Sequence, residues 1–351
     1  MNRHIERLEA KILFLISSSA SLSSSSHDNN INDNDDYDPF ADLPYEVRRK
    51  IFLIEEEISY AMRRRRNLES LRQMGATRYS TAERYTSINK NVIRYLEYGR
   101  RNSNKILILL HGLGGSAERW SRVIPTLLST KKDYRIIIPD IIGFGYSDKP
   151  HDADYTMDFF IDEFFKPFLD NLGISRASII GSSFGGHIAT EFAIRFDDRV
   201  EKLILVSPAG MMRESNPTIE NYARAACEPK YRCVYNAFRE MVHNRSVVDQ
   251  EMVTDFMNKM KLPNAGHAFI STLFNIKYAP DLRNRLSNIT APTLIVWGDN
   301  DRMIPLAENA HRFSGIPNTI MDRLLVVIKK CGHLVPIEKP AKFSNIVSKC
   351  I

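Results

Sequence analysis

Short, uninterrupted runs of apolar residues recur between positions 106 and 328 of the chain. They occupy residues 106–110, 136–138, 179–180, 203–206, 294–297 and 324–328. Runs without polar alternation are typical of strands that are covered on both faces, as in a parallel sheet. Stretches with helical spacing separate most of them, for example residues 117–129 and 157–172. The pattern therefore predicts an α/β fold built on a doubly wound, mostly parallel sheet.

An alternating stretch at residues 91–98 precedes these runs and predicts one further strand, with Asn89 and Lys90 as the turn before it. We expect the sheet domain to begin at Tyr85. Its first part then spans residues 85–210 and its second part residues 289–351.

The segment between these two parts, residues 211–288, has no strong strand pattern. Apolar and aromatic residues recur there at helical spacings between prolines, which predicts a helical cap, or lid, over the sheet domain. Its aromatic residues are candidates for the core of the cap, and we expect about a third of them to line a pocket. They are Tyr222, Tyr231, Tyr235, Phe238, Phe256, Phe269 and Phe274.

The first 84 residues differ from the rest of the chain. Residues 1–42 combine a short apolar run with serine-rich and Asn/Asp-rich stretches, which indicates a disordered or weakly ordered tail rather than a secretion signal. Residues 43–84 are predicted to form a helical extension, because apolar side chains recur there every three or four residues. These are Val47, Ile51, Ile54, Ile58 and Met62. We expect the sheet domain or a second copy of the chain, in a homodimer, to cover this stripe.

Composition excludes several classes of function. The 351 residues are 43% hydrophobic and 26% charged, and the formal net charge of +6 is too modest to indicate nucleic-acid binding. No apolar run reaches the roughly 18 residues of a transmembrane helix. The four cysteines lack the spacing of a metal site or a disulfide framework, so the default expectation is a reducing, cytoplasmic environment.

The strongest chemical motif is GSSFG at residues 181–185, which follows a predicted strand and precedes a predicted helix. This is the context of the G-x-S-x-G nucleophile elbow, in which a serine sits on a strained turn with its hydroxyl exposed. A serine nucleophile needs a base, and the base needs an acid to orient it. Asp299 and Asp301 follow one later strand and His333 follows the next, in the order Ser, Asp, His of an α/β-hydrolase.

From residue 85 to residue 351, the chain resembles the α/β-hydrolase superfamily, in its cofactor-free branch of serine esterases, C–C hydrolases and haloperoxidase-like proteins. Five stretches in the family's order carry the resemblance. They are HGLGGS at 111–116, DIIGFGYSD at 140–148, GSSFGG at 181–186, WGDNDRMIP at 297–305 and CGH at 331–333.

The resemblance implies Ser183 as nucleophile, His333 as base and Asp301 as acid, with Asp299 as the rival for the acid. It also implies an oxyanion hole formed by the backbone N–H groups of Leu113 and Phe184. No metal or organic cofactor is implied.

Four other residues near these motifs have simpler interpretations. His111 is expected to brace its loop, and His187 to be a packed or surface residue of the helix after the elbow. Ser182 occupies a variable position of the motif. Cys331 lacks the basic, exposed setting of a reactive thiol.

These features predict a serine hydrolase, and three functions remain open. The first, and the one that we expect, is a carboxylesterase that acts on small-to-medium apolar acyl groups through an acyl-enzyme; the other two are alternatives. The second is a C–C bond hydrolase of a vinylogous diketone, of the ring-cleavage product type, which uses the same triad and a cation from the insertion. The loop at residues 111–116 lacks the proline that such hydrolases often carry. The third is a weakly catalytic ligand receptor or scaffold.

Overall fold

The computed structural model describes residues 82–212, 214–320 and 324–351, together with the single positions Ala10, Val47, Ile51 and Ile54, which have helical backbone. The chain divides into two compact units, Met1–Arg78 and Tyr79–Ile351. Apart from the four single positions, the predicted tail and the predicted N-terminal helix lie outside the described residues. The sheet and the candidate site belong to the second unit.

The strands of the described residues form one sheet. They are β1 (Ala82–Ile88), β2 (Asn91–Gly99), β3 (Ile106–Leu110), β4 (Arg135–Pro139), β5 (Ala177–Ser182), β6 (Val200–Val206), β7 (Thr293–Gly298) and β8 (Leu325–Ile328). Their order across the sheet is β1-β2-β4-β3-β5-β6-β7-β8. β2 is antiparallel to β1 and β4, and all other neighbours are parallel. The predicted fold class is therefore confirmed.

Helices cover the sheet and fill its long connections. The α-helices of the described residues are α1 (Ile124–Thr130), α2 (Lys166–Asn171), α3 (Phe184–Arg195), α4 (Pro217–Cys227), α5 (Tyr231–Met241), α6 (Gln250–Met260), α7 (Ala265–Tyr278), α8 (Leu306–Asn309), α9 (Val335–Glu338) and α10 (Pro340–Cys350). A π-helical stretch, Phe159–Phe165, leads into α2. Helices α4 to α7 all lie between β6 and β7 in the sequence.

The side chains of β3 show why the apolar runs are continuous. Ile108 and Leu110 belong to the hydrophobic cluster on one face of the sheet, and Leu107 and Leu109 to the cluster on the other. Successive side chains of a strand point to opposite faces, so a strand covered on both faces must be apolar at every position.

The start of the sheet corrects the predicted boundary at Tyr85. β1 begins at Ala82 and pairs with β2 across the predicted turn, where Asn89 and Lys90 have φ values of 47° and 72°. Most β1 side chains are only partly buried, because the strand lies at the edge of the sheet. An edge strand of this kind has no continuous apolar run to reveal it.

The cap helices follow from local signals. Asn216 accepts a hydrogen bond from the amide of Ile219 at 3.1 Å and so caps α4, which begins at Pro217. The buried residues of α5 fall on one face, at Val234, Ala237, Phe238 and Met241. In the part of the chain that the structure describes, no helix combines the length and the apolar character needed to cross a membrane.

Candidate active site

Ser183 lies at the sharp turn between β5 and α3. Its φ of 53° and ψ of −116° are strained for a residue with a side chain. Backbone hydrogen bonds hold the turn: the Ser183 amide donates to Val206 at 2.9 Å, and the Ser183 carbonyl accepts from Ala209 at 3.0 Å. The strain therefore has structural support from the neighbouring strand β6 and the loop after it.

The glycines on either side of Ser183 allow backbone segments to approach closely. A Cβ on Gly181 would lie 2.3 Å from the carbonyl oxygen of Gly185, and a Cβ on Gly185 would lie 2.5 Å from the carbonyl oxygens of Leu110 and His111. Both contacts are with backbone atoms, which cannot move aside as a side chain can. The elbow therefore requires glycine at both positions.

His333 and Asp301 are hydrogen bonded to each other. His333 Nδ1 donates to Asp301 Oδ2 at 2.8 Å, and both side chains are almost fully buried. The other oxygen, Asp301 Oδ1, accepts from the amides of Met303 at 3.0 Å and Ile304 at 2.9 Å. These bonds fix the carboxylate and leave Nε2 of His333 as the ring nitrogen free to take a proton.

Asp299, the rival acid, is directed elsewhere. Its Oδ1 accepts from Asn300 Nδ2 at 2.6 Å and from the Cys331 amide at 3.3 Å. Although desolvation acts to raise it, the pKa of Asp299 is lowered, chiefly by the hydrogen bond from Asn300. The two aspartates therefore differ in partner: Asp301 is hydrogen bonded to His333, whereas Asp299 links the turn after β7 to Cys331, which follows β8.

Ser183, His333 and the proposed oxyanion residues Leu113 and Phe184 line one cavity of about 390 Å³. Most of its wall is apolar. Three of the seven cap aromatics predicted from the sequence contribute to it, namely Tyr222, Phe238 and Phe274. Ser182 lines the same cavity beside Ser183. The space suits a small molecule with a largely apolar body.

His111 braces the loop that carries Leu113. Its Nε2 accepts from the Ile141 amide at 2.9 Å, and its Nδ1 donates to the Gly112 carbonyl oxygen at 2.8 Å. Burial lowers the pKa of His111 to about 4, so the ring is neutral at physiological pH. Both ring nitrogens have partners, which agrees with the bracing role expected from the sequence.

The cap contacts this loop at two points. The hydroxyl of Tyr222, from α4, donates to the Leu113 carbonyl oxygen at 2.7 Å. Lys259, from α6, donates to Ser116 Oγ at 2.8 Å and forms ion pairs with Asp255 at 2.6 Å and Glu118 at 3.0 Å. Although burial opposes its charge, these two carboxylates raise the pKa of Lys259.

His187 and Cys331, the two other residues considered from the sequence, both lie in the interior of the protein. His187 is completely buried in α3. Cys331 is buried as well, and desolvation raises the pKa of its thiol to about 12, which makes it a poor nucleophile. No group of His, Cys, Asp and Glu side chains within residues 82–212, 214–320 and 324–351 has the arrangement of a metal site.

Arg119 and Lys259 were not predicted from the sequence as residues of the site. Arg119 lines the cavity next to Trp120, and Lys259 lies one position before the buried Met260 on the apolar face of α6. A charged residue on an apolar helix face was a usable signal for Lys259. Nothing in the local sequence indicated that Arg119 faces the cavity.

The family model described as the alpha/beta hydrolase fold matches residues 105–340 of the chain. The protein therefore belongs to the α/β-hydrolase family.

Several relatives of the chain are hydrolases whose names state a substrate. A 2-hydroxy-6-oxononadienedioate/2-hydroxy-6-oxononatrienedioate hydrolase of Paraburkholderia phymatum is 30% identical over 250 residues, which cover 69% of this chain and 85% of that protein. A 2-hydroxymuconate semialdehyde hydrolase of a Pseudomonas species is 29% identical over 248 residues, covering 69% of this chain and 84% of that protein.

Among solved structures, a meta-cleavage product hydrolase from Pseudomonas fluorescens superposes with a TM-score of 0.67. It is 26% identical and covers 76% of this chain and 96% of its own. Together with the family, these similarities support a hydrolase that acts on a small molecule.

Proposed function

We propose that this protein is a serine hydrolase that cleaves a C–C bond in a vinylogous diketone, with Ser183 as nucleophile, His333 as base and Asp301 as the orienting acid. The observation that carries the catalytic part is the Asp301–His333 hydrogen bond beside a cavity that Ser183 also lines. An acid that orients an imidazole next to an activated serine is the arrangement of nucleophilic acyl transfer.

In the proposed reaction, His333 Nε2 takes the proton of the Ser183 hydroxyl while Oγ attacks the ketone carbon. The amides of Leu113 and Phe184 stabilise the negative charge that develops on the ketone oxygen. The adjacent C–C bond then breaks, and its electron pair is delocalised onto the conjugated carbonyl of the departing fragment. His333 returns its proton to that fragment and leaves Ser183 acylated.

Water completes the cycle. His333 takes a proton from the water as the oxygen attacks the acyl-enzyme. The carboxylic acid product leaves, and the proton returns to Ser183 Oγ. In each of these reaction steps, the proton passes through the imidazole of His333, whose other nitrogen is hydrogen bonded to Asp301.

The choice of a C–C bond draws support from the relatives. The relatives described above are named as hydrolases of a 2-hydroxy-6-oxo acid, of a semialdehyde and of a meta-cleavage product. They favour the C–C alternative from the sequence over the expected carboxylesterase, for which they give no specific support.

Ester hydrolysis is the second candidate, because two features of this chain favour it. The loop at residues 111–116 lacks the proline that C–C hydrolases often carry, and the cavity wall is predominantly apolar. The same triad would serve an ester, with an alcohol as leaving group in place of the stabilised carbon fragment.

The deciding experiment compares kcat/KM of the full-length protein for 2-hydroxymuconate semialdehyde and 2-hydroxy-6-oxo-2,4-heptadienoate with that for p-nitrophenyl butyrate. We expect a preference of about 100-fold or more for one of the conjugated keto acids. Faster turnover of the butyrate ester would replace C–C cleavage by ester hydrolysis. No turnover, with no labelling of Ser183 by a fluorophosphonate, would leave a receptor or scaffold.

A further inference from the structure

Arg119 is a half-buried cation in the wall of the catalytic cavity. It belongs to the short 3₁₀ turn Ala117–Trp120, which follows the loop at residues 111–116. We call this loop the oxyanion loop because it carries Leu113. Arg119 lines the same space as Ser183 and His333. Its guanidinium carbon lies 4.9 Å from the centre of the Phe238 ring on α5. This cation–π contact orients the side chain without using its N–H donors in hydrogen bonds.

No carboxylate neutralises Arg119 among the residues that the structure describes. Its neighbours in sequence and space are paired: Glu118 forms ion pairs with Arg94 and Lys259. Arg122, only three positions further on, forms an ion pair with Asp249 at 2.9 Å. Arg119 therefore keeps a fork of N–H donors available inside the cavity.

The charge of Arg119 acts on the part of the cavity next to the oxyanion loop. Burial raises the pKa of the Tyr222 hydroxyl, and the positive charge of Arg119 opposes that rise. The same hydroxyl donates to Leu113. An anion bound to Arg119 would therefore lie near Tyr222, within the same cavity as Ser183.

Among the residues that the structure describes, Lys277 and Glu214 are the charged residues that line the cavity besides Arg119, the predicted triad and His111. Lys277 and Glu214 are exposed to solvent, whereas Arg119 is partly covered. When a substrate displaces water from a partly buried guanidinium, the lost hydrogen bonds must be replaced. A neutral apolar chain cannot replace them, but a carboxylate can accept two parallel N–H bonds.

We infer that Arg119 is a specificity-determining residue that binds a carboxylate group of the substrate. This inference rests on the proposed function and names the feature by which the cavity selects among acyl substrates. It also assigns the cation to the turn after the oxyanion loop, rather than to the insertion, where the C–C hydrolase hypothesis placed it.

The test uses pairs of chromogenic esters that differ only in a terminal carboxylate: mono-p-nitrophenyl adipate against p-nitrophenyl hexanoate, and mono-p-nitrophenyl suberate against p-nitrophenyl octanoate. The quantity measured is the ratio of kcat/KM for the anionic ester to kcat/KM for the neutral one. This ratio does not depend on the fraction of active enzyme, so partial misfolding of a variant cannot change it.

We expect the ratio in at least one pair to fall by about 10- to 100-fold in Arg119→Gln, the size expected for loss of a hydrogen-bonded charge pair. Arg119→Lys, which keeps the charge without the fork, should lie between Arg119→Gln and the unmodified protein. Arg122→Gln is the matched control, because Arg122 is a nearby arginine that does not line the cavity, and its ratio should stay unchanged.

An unchanged ratio in Arg119→Gln for both chain lengths would overturn the assignment of Arg119. An equal fall in Arg122→Gln would overturn it too, because the effect would then come from the overall charge. Neither result would affect the proposed function, which depends on the reaction with the conjugated keto acids and on Ser183. Conversely, failure to cleave those keto acids would reject C–C hydrolysis and still leave the charge ratio measurable.

Discussion

The turn around Ser183 and the cap helices differ in how closely their residues are packed. At the turn, a Cβ on Gly185 would meet backbone oxygens at 2.5 Å, whereas a Cβ on Gly266, in α7, would meet nothing within 4 Å. The cap also leaves large apolar side chains in solvent: Ile270, Phe274 and Tyr278 are 41%, 61% and 63% exposed.

This difference in packing suggests that the turn positions the serine, whereas the cap shapes the pocket. Around Ser183, neighbouring backbone fixes the position of the proposed nucleophile, and backbone adapts to a substitution less readily than a side chain does. In the cap, side chains shape the pocket and have room to adjust. Substitutions at the turn should therefore abolish chemistry or folding, whereas substitutions in the cap should change selectivity and stability by smaller amounts.

The largest effect is expected from the proposed nucleophile and base. Ser183→Ala and His333→Ala should each lower kcat by roughly 10⁴-fold, and the double variant should be little worse because the triad acts as a unit. Steady-state kinetics and fluorophosphonate labelling measure both effects. Ser182→Ala, one residue away in the same cavity, is the control and should keep most activity. Loss of labelling in Ser182→Ala but not in Ser183→Ala would show that the nucleophile is misassigned.

Gly185→Ala tests the packing of the turn directly. The added methyl group overlaps backbone oxygens of Leu110 and His111, so we expect the free energy of unfolding to fall by about 3 kcal/mol or more. Chemical denaturation measures the change. Gly266→Ala is the matched control in the cap, where the methyl group has space, and it should stabilise the protein by up to about 1 kcal/mol. Equal effects of the two substitutions would remove the contrast between the regions.

Lys259→Met tests the attachment of the cap to the core. The substitution leaves Asp255 without its buried partner and Glu118 with Arg94 alone, which should cost about 3 kcal/mol of unfolding free energy. Lys105→Met is the control, because the Lys105–Asp133 pair is exposed to solvent and its loss should leave the free energy of unfolding nearly unchanged. A Lys259→Met protein as stable as the Lys105→Met protein would mean that apolar packing alone holds the cap.

His111 should make the stability of the core depend on pH. Its folded-state pKa of about 4 lies below the usual histidine pKa of 6.5, so the unfolded chain takes up the proton first as the pH falls. The stabilisation is complete above pH 6.5 and is lost as the pH falls towards 4, which amounts to about 2 kcal/mol between pH 7 and pH 5. Denaturation of the unmodified protein and of His111→Gln across this range isolates the contribution. Parallel pH profiles of the two proteins would contradict it.

Much of this architecture was accessible from local patterns. The continuous apolar runs predicted the two-sided sheet, and GSSFG predicted the turn at Ser183, because a strand-to-helix turn with close backbone contacts restricts nearby residues directly. The edge strand β1 was missed, since its partly exposed side chains resemble those of a loop.

In the candidate site, too, the local sequence alone did not decide between residues. The sequence determined that a carboxylate follows β7 and a histidine follows β8, but Asp299 and Asp301 are two residues apart and locally equivalent. The resemblance favoured Asp301, but the physical difference between the two lies in the folded loop, where the amides of Met303 and Ile304 hold Asp301 towards His333.

Arg119 and Lys259 extend this conclusion. Lys259 meets Glu118 across 141 positions of sequence, and Arg119 meets the ring of Phe238 on a different segment. Periodicity along the chain records which side chains are buried, because burial repeats with the strand or the helix. The partner of a buried charge depends on how distant segments pack, and tertiary structure alone decided that for this protein.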